Sequence, residues 1–300
     1  MAKIINVLGF KGGIGKSTTV CNLAYGLAQK GMKVLVVDTD PQSNTTSIFP
    51  ESRKCGKLKN SAAEDFLQIY QEKSDSLPDI DNIELGIAAL MQTLNKIDEE
   101  GNLYHLLSLQ RFSYSDVWDC IHETKYENVW IIPGSQEMDT IDRNFNLKRL
   151  SVFKTIFELI DDDFDYILID NQPIQNMVSF STIISCTDEH DTILVLAKFD
   201  RGGIEGVVET LDKVTRLKKQ SHSSAKIKIL VTMENRNKND RSWKEAFSKA
   251  FKDQMLHTTI RYQAKPITDA NLAGGVLLEN RSSVADDYRN LIDEILEKEE

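Results

Sequence analysis

Residues Gly9–Thr19 read Gly-Phe-Lys-Gly-Gly-Ile-Gly-Lys-Ser-Thr-Thr, a run of residue types suited to holding a polyphosphate. Glycines let a backbone curl until several N–H groups face one anion, and a helix N-terminus adds partial positive charge. In such a loop Gly12, Gly13, Ile14, Gly15 and Thr18 present backbone to a nucleoside triphosphate. Lys16 lies along its β- and γ-phosphates, and the Ser17 hydroxyl holds a magnesium ion. Two further sets of acids close apolar runs. Asp38 ends Val34–Asp38, with Asp40 two residues beyond it, and Asp170 ends Phe164–Asp170. An acid at the C-terminal end of a strand points into the ligand crevice of an open α/β sheet, and Asp40 faces the same side if the chain stays extended. The run ending in Asp170 has the Walker B form, in which the carboxylate meets magnesium directly or through water.

These groups need a scaffold that brings strand ends together. The apolar run Ile4–Leu8 precedes the glycine loop and the helical pattern Val20–Gln29 follows it, the context that a phosphate-binding loop requires. That helix stops at Gly31, a C-cap residue, and Val34–Asp38 then completes a parallel βαβ unit. Further β-rich runs at Val129–Ile132, Tyr166–Asp170, Thr192–Ala197 and Lys228–Met233, with a weaker one at Thr258–Tyr262, mostly alternate with helical stretches. The clearest of these are Gln175–Cys186, Ile204–Lys219, Ser242–Asp253 and Val284–Lys298. The alternation predicts an α/β fold, a doubly wound and mostly parallel sheet in one domain over residues 1–300. The rhythm breaks at about 52–127, where Ala62–Lys73, Ile83–Ile97, Leu103–Leu109 and Tyr114–Thr124 predict a helical insertion at one edge of the sheet. A dinucleotide fingerprint is the rival reading of the loop, with Gly13, Gly15 and a ribose-binding Asp38. It fails because its third glycine position is Thr18 and it has no use for Lys16 and Ser17.

The bulk composition, 41% hydrophobic and 27% charged over 300 residues, is that of a globular protein with ample chain for a core. No run approaches the roughly 18 apolar residues of a membrane span, and the stretch behind Lys3 is too short for a signal peptide. A cytosolic protein is expected. The four cysteines are scattered without a C-x-x-C pair, so neither a disulfide framework nor a metal–thiolate cluster is expected. The net charge of −10 is unevenly spread: between Asp212 and Arg241 nine basic residues face three acids, leaving that segment at +6 and the rest at −16. Such a stretch is either the solvated face of a helix or a track for a nucleic-acid backbone.

The loop departs from the usual phosphate-loop pattern in one respect. Phe10 stands where its first glycine belongs, and an additional Lys11 precedes the glycine pair. The resulting K-G-G-x-G-K-[ST] resembles the deviant Walker A loop of the ParA/MinD family of ATPases, and Asp38-Thr39-Asp40-Pro41-Gln42 is similar to that family's Walker A′ element. The resemblance implies a magnesium-dependent hydrolysis of ATP to ADP and phosphate. It assigns to Lys11 a reach across an ATP-bound homodimer to the partner's phosphates, to Asp40 the orientation of the attacking water, and to Asp38 support of the magnesium shell. Adenine is expected near Met233 and the loop after Ile260. Where the family has D-x-P-P after the Walker B acid, this chain has Asp170-Asn171-Gln172-Pro173, a departure in the switch segment.

Within the family, the acidic C-terminal tail argues against a MinD-type membrane helix, and a loop beginning at residue 9 leaves no room for the N-terminal DNA-reading region of larger ParA proteins. The short ParA form remains. It implies a cytoplasmic, nucleoid-associated partition ATPase that binds duplex DNA without sequence preference and is stimulated by a ParB-like centromere-binding protein. Arg216, Lys218, Lys219, Arg236, Lys238 and Arg241 are the candidate DNA contacts. Two other classes share the motifs: an ATPase that positions a protein cargo, and a metabolic ATP-dependent enzyme on the same scaffold.

Overall fold

The computed structural model describes residues 1–9, 11–49, 101–144, 149–172, 176–235, 237–272 and 275–297. Its strands are β1 (Lys3–Leu8), β2 (Val34–Asp38), β3 (His122–Glu123), β4 (Val129–Ile132), β5 (Tyr166–Asp170), β6 (Thr192–Ala197), β7 (Lys226–Glu234) and β8 (Met255–Arg261). They form one sheet in the order β3-β4-β2-β5-β1-β6-β7-β8. Every pairing is parallel except β3 with β4. Strands buried on both faces read as continuous apolar runs rather than alternating ones, and β2 and β5, buried along their whole length, do so. Alternate residues still feed opposite layers: Leu35 and Val37 pack on one side of the sheet, Val34 and Val36 on the other.

The described helices are α1 (Lys16–Gln29), α2 (Asn44–Ile48), α3 (Leu103–Ser108), α4 (Tyr114–Trp118), α5 (Met138–Asn144), α6 (Val152–Leu159), α7 (Met177–Ser185), α8 (Arg201–Ser221), α9 (Lys238–Phe251), α10 (Ala264–Leu272) and α11 (Ser283–Glu297). One layer packs α3, α6, α7, α8 and α9 through Leu106, Phe153, Ile183, Val207 and Phe247. The other packs α1 and α11 through Leu23, Leu27, Tyr288 and Leu291. Gly26 permits that second contact, since a Cβ there would collide with Ile292 of α11.

The doubly wound, mostly parallel sheet is as the alternation predicted, with element ends shifted by a few residues and three differences of consequence. The helix expected from Val20 starts at Lys16, because Gly15 is its N-cap and the Gly15 carbonyl accepts the Thr19 N–H at 2.9 Å. The weak run near Thr258–Tyr262 is β8, extended back to Met255. The expected helix Tyr114–Thr124 stops at Trp118, and His122–Glu123 turns into an antiparallel edge strand. The Thr124 hydroxyl explains the turn: it donates to the carbonyls of Tyr126 and Val129 and accepts the Tyr126 N–H, closing a tight loop in which Asn128 is left-handed at φ 63°. The described end of the expected insertion, residues 101–127, lies at this β3/β4 edge, while Ala62–Lys73 and Ile83–Ile97 fall outside the described residues. Among the described residues no helix is long and apolar enough to cross a membrane.

The C-terminal helix is tied to the sheet by charge as well as by packing. Arg261 at the end of β8 makes a two-pronged ion pair with Asp287 of α11, both bonds 2.6 Å, and its backbone N–H donates to the same carboxylate. Removing one member of a buried pair strands the other in low dielectric. Arg261→Ala is therefore expected to lower unfolding free energy by about 3 kcal/mol, read as a shift in urea midpoint.

Candidate active site

The glycine loop leaves β1 and enters α1 through two left-handed residues, Gly13 at φ 72° and Gly15 at φ 85°. A side chain would strain either position, so the curl depends on glycine there. Ile14 between them is buried, and its carbonyl accepts the Thr232 hydroxyl of β7 at 2.7 Å. The Ile14 side chain thus plugs into the core, while the backbone on either side faces a cavity of about 780 Å³. That volume lies within the range of small-ligand sites. Gly12, Gly13, Gly15, Lys16, Ser17 and Thr18 line one wall, Asp40, Pro41 and Gln42 another, and Met233 and Ile267 a third. Lys16 is only 7% exposed, so its ammonium is presented from a largely desolvated stem.

Asp38 and Asp170 are direct neighbours in the β2/β5 register and are both fully buried. Burial, and for Asp38 the repulsion of Asp170, push both carboxyls above the ordinary range. The Thr45 hydrogen bond, the nearby Ser17 hydroxyl and the Lys16 charge favour the ionised form of Asp170 without overcoming its burial. Asp170 accepts the Thr45 hydroxyl on Oδ2 at 2.7 Å, whereas its Oδ1 is buried with no hydrogen-bond partner. Asp38 is fully engaged: Oδ2 accepts the Thr46 N–H at 2.8 Å and hydroxyl at 2.7 Å, and Oδ1 accepts the Asp40 N–H at 3.1 Å. Asp40 is half-buried on the cavity wall, held at the start of a turn by the Gln42 N–H on its own carboxylate at 2.9 Å.

This donor set fits a magnesium ion held mainly by its nucleotide. Magnesium usually takes one or two protein oxygens, keeping waters and substrate phosphates for the rest. Ser17 and the bare Oδ1 of Asp170 are such oxygens. Among the described residues no cluster of three or more His, Cys, Asp or Glu exists that would form a self-sufficient metal cage. Asp38, with both oxygens occupied by N–H and O–H donors, is placed to support that shell and the Asp40 backbone.

Asn171, in the departing switch sequence, ties the end of β5 to its surroundings. Its amide donates to Asn6 Oδ1 at 2.5 Å and to the Val7 carbonyl at 3.2 Å, and its oxygen accepts the Thr182 hydroxyl of α7 at 2.8 Å. Gln172 reaches the cavity wall, and Pro173 lies outside the described residues.

Lys11 does not line the phosphate cavity. It is exposed, and its ammonium lies over Gly202 at the start of α8, where a Cβ would collide with it and where Asp200 is the N-cap. Met233, expected near adenine, does line the cavity, in a left-handed conformation at φ 56°. Ile267 of α10 joins it there, beyond the loop after Ile260. The Thr45 and Thr46 hydroxyls were also missed, because nothing in their spacing says which carboxylate each will meet.

The basic segment proves to be two patches rather than one. Its middle is β7, whose nine residues span about 26 Å and run between the end of α8 and the start of α9. At the α8 end, the Lys218 ammonium is turned inward onto the Ala225 carbonyl, and Arg216 pairs with Asp212 at 2.9 Å. Lys218 therefore acts in the free chain as a helix-end tether, favoured because a lysine near a helix C-terminus can satisfy a neighbouring carbonyl. Lys219 is exposed. At the other end Lys238 and Arg241 are exposed on the first turn of α9, on the same edge of the sheet as the cavity, and Arg236 lies outside the described residues.

Comparison with known proteins identifies relatives of the whole fold. The AAA domain family AAA_31 matches residues 2–229. The sporulation initiation inhibitor protein Soj of Bacillus subtilis (strain 168) is 27% identical over 307 residues, covering 98% of each chain. A plasmid partition protein from Borrelia burgdorferi has a TM-score of 0.67 at 19% identity, covering 99% of both chains. The ATP complex of Cyanothece McdA gives 0.72 at 17% identity over 98% of this chain and 96% of that one. Cobyrinic acid a,c-diamide synthase from Mycobacterium smegmatis, solved with ADP and magnesium, gives 0.67 at 17% identity over 98% and 93%. At these identities the solved structures speak to the fold.

Proposed function

The chain belongs to the AAA domain family AAA_31, the ParA/MinD-like group of P-loop nucleotide-binding NTPases, and from that premise we propose that it is a magnesium-dependent DNA-partition ATPase. The observation that carries the ATPase reading is the convergence of Lys16, Ser17 and Asp40 on one cavity, with the bare Asp170 oxygen beside them. Lys16 and the loop N–H groups would hold the β- and γ-phosphates; Ser17 and Asp170 would hold magnesium, which when bound would neutralise charge developing on the phosphates. Asp40 orients the attacking water, with its backbone held by Asp38. Met233 and Ile267 offer apolar surface to the base.

Lys11 is the group that asks for a second subunit. Its ammonium stands outside its own phosphate cavity, which supports a reach into a partner's site in an ATP-bound homodimer. Duplex DNA of any sequence binds that dimer, a ParB-like partner stimulates hydrolysis, and ADP releases the DNA; the protein is then nucleoid-associated in the cytoplasm. The exposed first turn of α9, Lys238 and Arg241, is the favoured contact because it lies on the nucleotide edge of the sheet. The division of the basic segment favours one second reading, an ATPase that positions a protein cargo, since part of the +6 is spent within the chain.

DNA binding with ATP, with ADP and without nucleotide separates the two. For partition, wild-type protein binds duplex only with ATP. Neutralising Lys238 and Arg241 weakens binding on all sequences and flattens the salt slope by roughly one unit per lost contact, whereas Lys218→Ala changes it little. If ATP elicits no salt-sensitive DNA binding, the cargo reading replaces the DNA one.

A further inference from the structure

Thr45 and Thr46 are consecutive on α2, are fully buried, and give their hydroxyls to different carboxylates. We propose that this pair is a two-armed positioning device, Thr45 aiming the free oxygen of Asp170 at the magnesium position and Thr46 aiming Asp40 at the attacking water through Asp38. The inference rests on the ATPase reading above and assigns residues that neither motif contains.

The direction of each hydrogen bond follows from its neighbours. The Cys21 thiol lies 3.8 Å from the Thr45 oxygen as a donor, and the Thr45 hydroxyl donates onward to Asp170 Oδ2 at 2.7 Å. One Asp170 oxygen is thereby occupied and the other left bare, so the carboxylate is held against rotation with its open lone pairs in a defined direction. A hydroxyl that donates to a ligating carboxylate in this way orients it and tunes its basicity. At Thr46 the Gly134 N–H donates to the hydroxyl at 2.9 Å, and the hydroxyl donates to Asp38 Oδ2 at 2.7 Å. The Thr46 N–H takes the same oxygen, which leaves Asp38 Oδ1 for the Asp40 N–H at 3.1 Å. Gly134 closes the arrangement from outside: a Cβ there would stand 3.0 Å from the Asp38 carbonyl oxygen and 3.2 Å from that of Asp40. The two arms share one helical turn but end on different groups, so their losses separate.

The test titrates magnesium into a fluorescent ATP analogue bound to each variant and measures kcat and KM for hydrolysis in parallel. Thr45→Val raises the magnesium half-saturation about tenfold or more, with metal-free nucleotide binding retained. Thr46→Val leaves the magnesium half-saturation within about twofold and lowers kcat about tenfold at steady KM. Serine at either position restores the corresponding value. Where a valine variant does not fold by thermal melt, asparagine replaces it; its amide still donates but from a different reach, and the same readout must move. Both variants shifting the two readouts alike, or neither shifting either, overturns the two-armed assignment, as does a folded serine variant with the full defect. A wild-type chain that binds no ATP in the presence of magnesium overturns the ATPase reading itself, a result visible before any variant is made.

Discussion

Lys16→Ala weakens ATP binding by about a hundredfold or more, the expected cost of two charge-assisted hydrogen bonds to phosphate. The lysine is 7% exposed and opens onto the cavity beside the glycine loop, where its charge faces the phosphates. The loop N–H groups remain, held by Gly13, Gly15 and the buried Ile14, so the fold survives and the defect is one of charge. Ser17→Ala is expected to differ in kind, since its hydroxyl serves the metal: magnesium-dependent binding weakens more than metal-free binding. Equilibrium anisotropy with a labelled ATP, with and without chelator, reads both effects. Unchanged affinity in Lys16→Ala would falsify the phosphate-loop assignment.

Asp40→Ala and Lys11→Ala are expected to fail at opposite ends of the cycle. Asp40 sits on the cavity wall with its backbone anchored to Asp38, and its loss removes the group that orients water without removing a phosphate contact. Hydrolysis then falls by about 10²–10⁴-fold while ATP stays bound, leaving a persistent dimer. Lys11 stands over Gly202, away from its own phosphate cavity. Lys11→Ala therefore binds nucleotide as a monomer with nearly wild-type affinity and does not assemble. Sedimentation of the two variants with ATP gives the contrast directly. Wild-type dimerisation by Lys11→Ala removes the cross-subunit role, and rapid turnover by Asp40→Ala removes the water-orienting one.

Much of this site is local in the chain, and that is why it can be read from residues alone. A phosphate loop is a continuous segment whose function depends on left-handed backbone dihedrals that glycine adopts without strain, so Gly12 to Ser17 announce both the curl and the ligand. The same holds for buried parallel strands, whose apolar runs end in acids because strand ends face the crevice; Asp38 and Asp170 are at those ends in adjacent register. Tertiary structure decided what depends on partners distant in sequence. The basic residues between Asp212 and Arg241 add to a single charge in one dimension, but an extended strand runs through the middle and carries its halves to opposite edges of the sheet. The inward turn of Lys218 onto Ala225, the placing of Lys11 over Gly202, and the meeting of Thr45 with Asp170, 125 residues away, arise only once the sheet has formed. Chain-local chemistry was written in residue type and spacing; which oxygen is bare, which cation is free and which hydroxyl aims a carboxylate are set by packing, because hydrogen bonds in a buried site go to whatever neighbour the fold supplies.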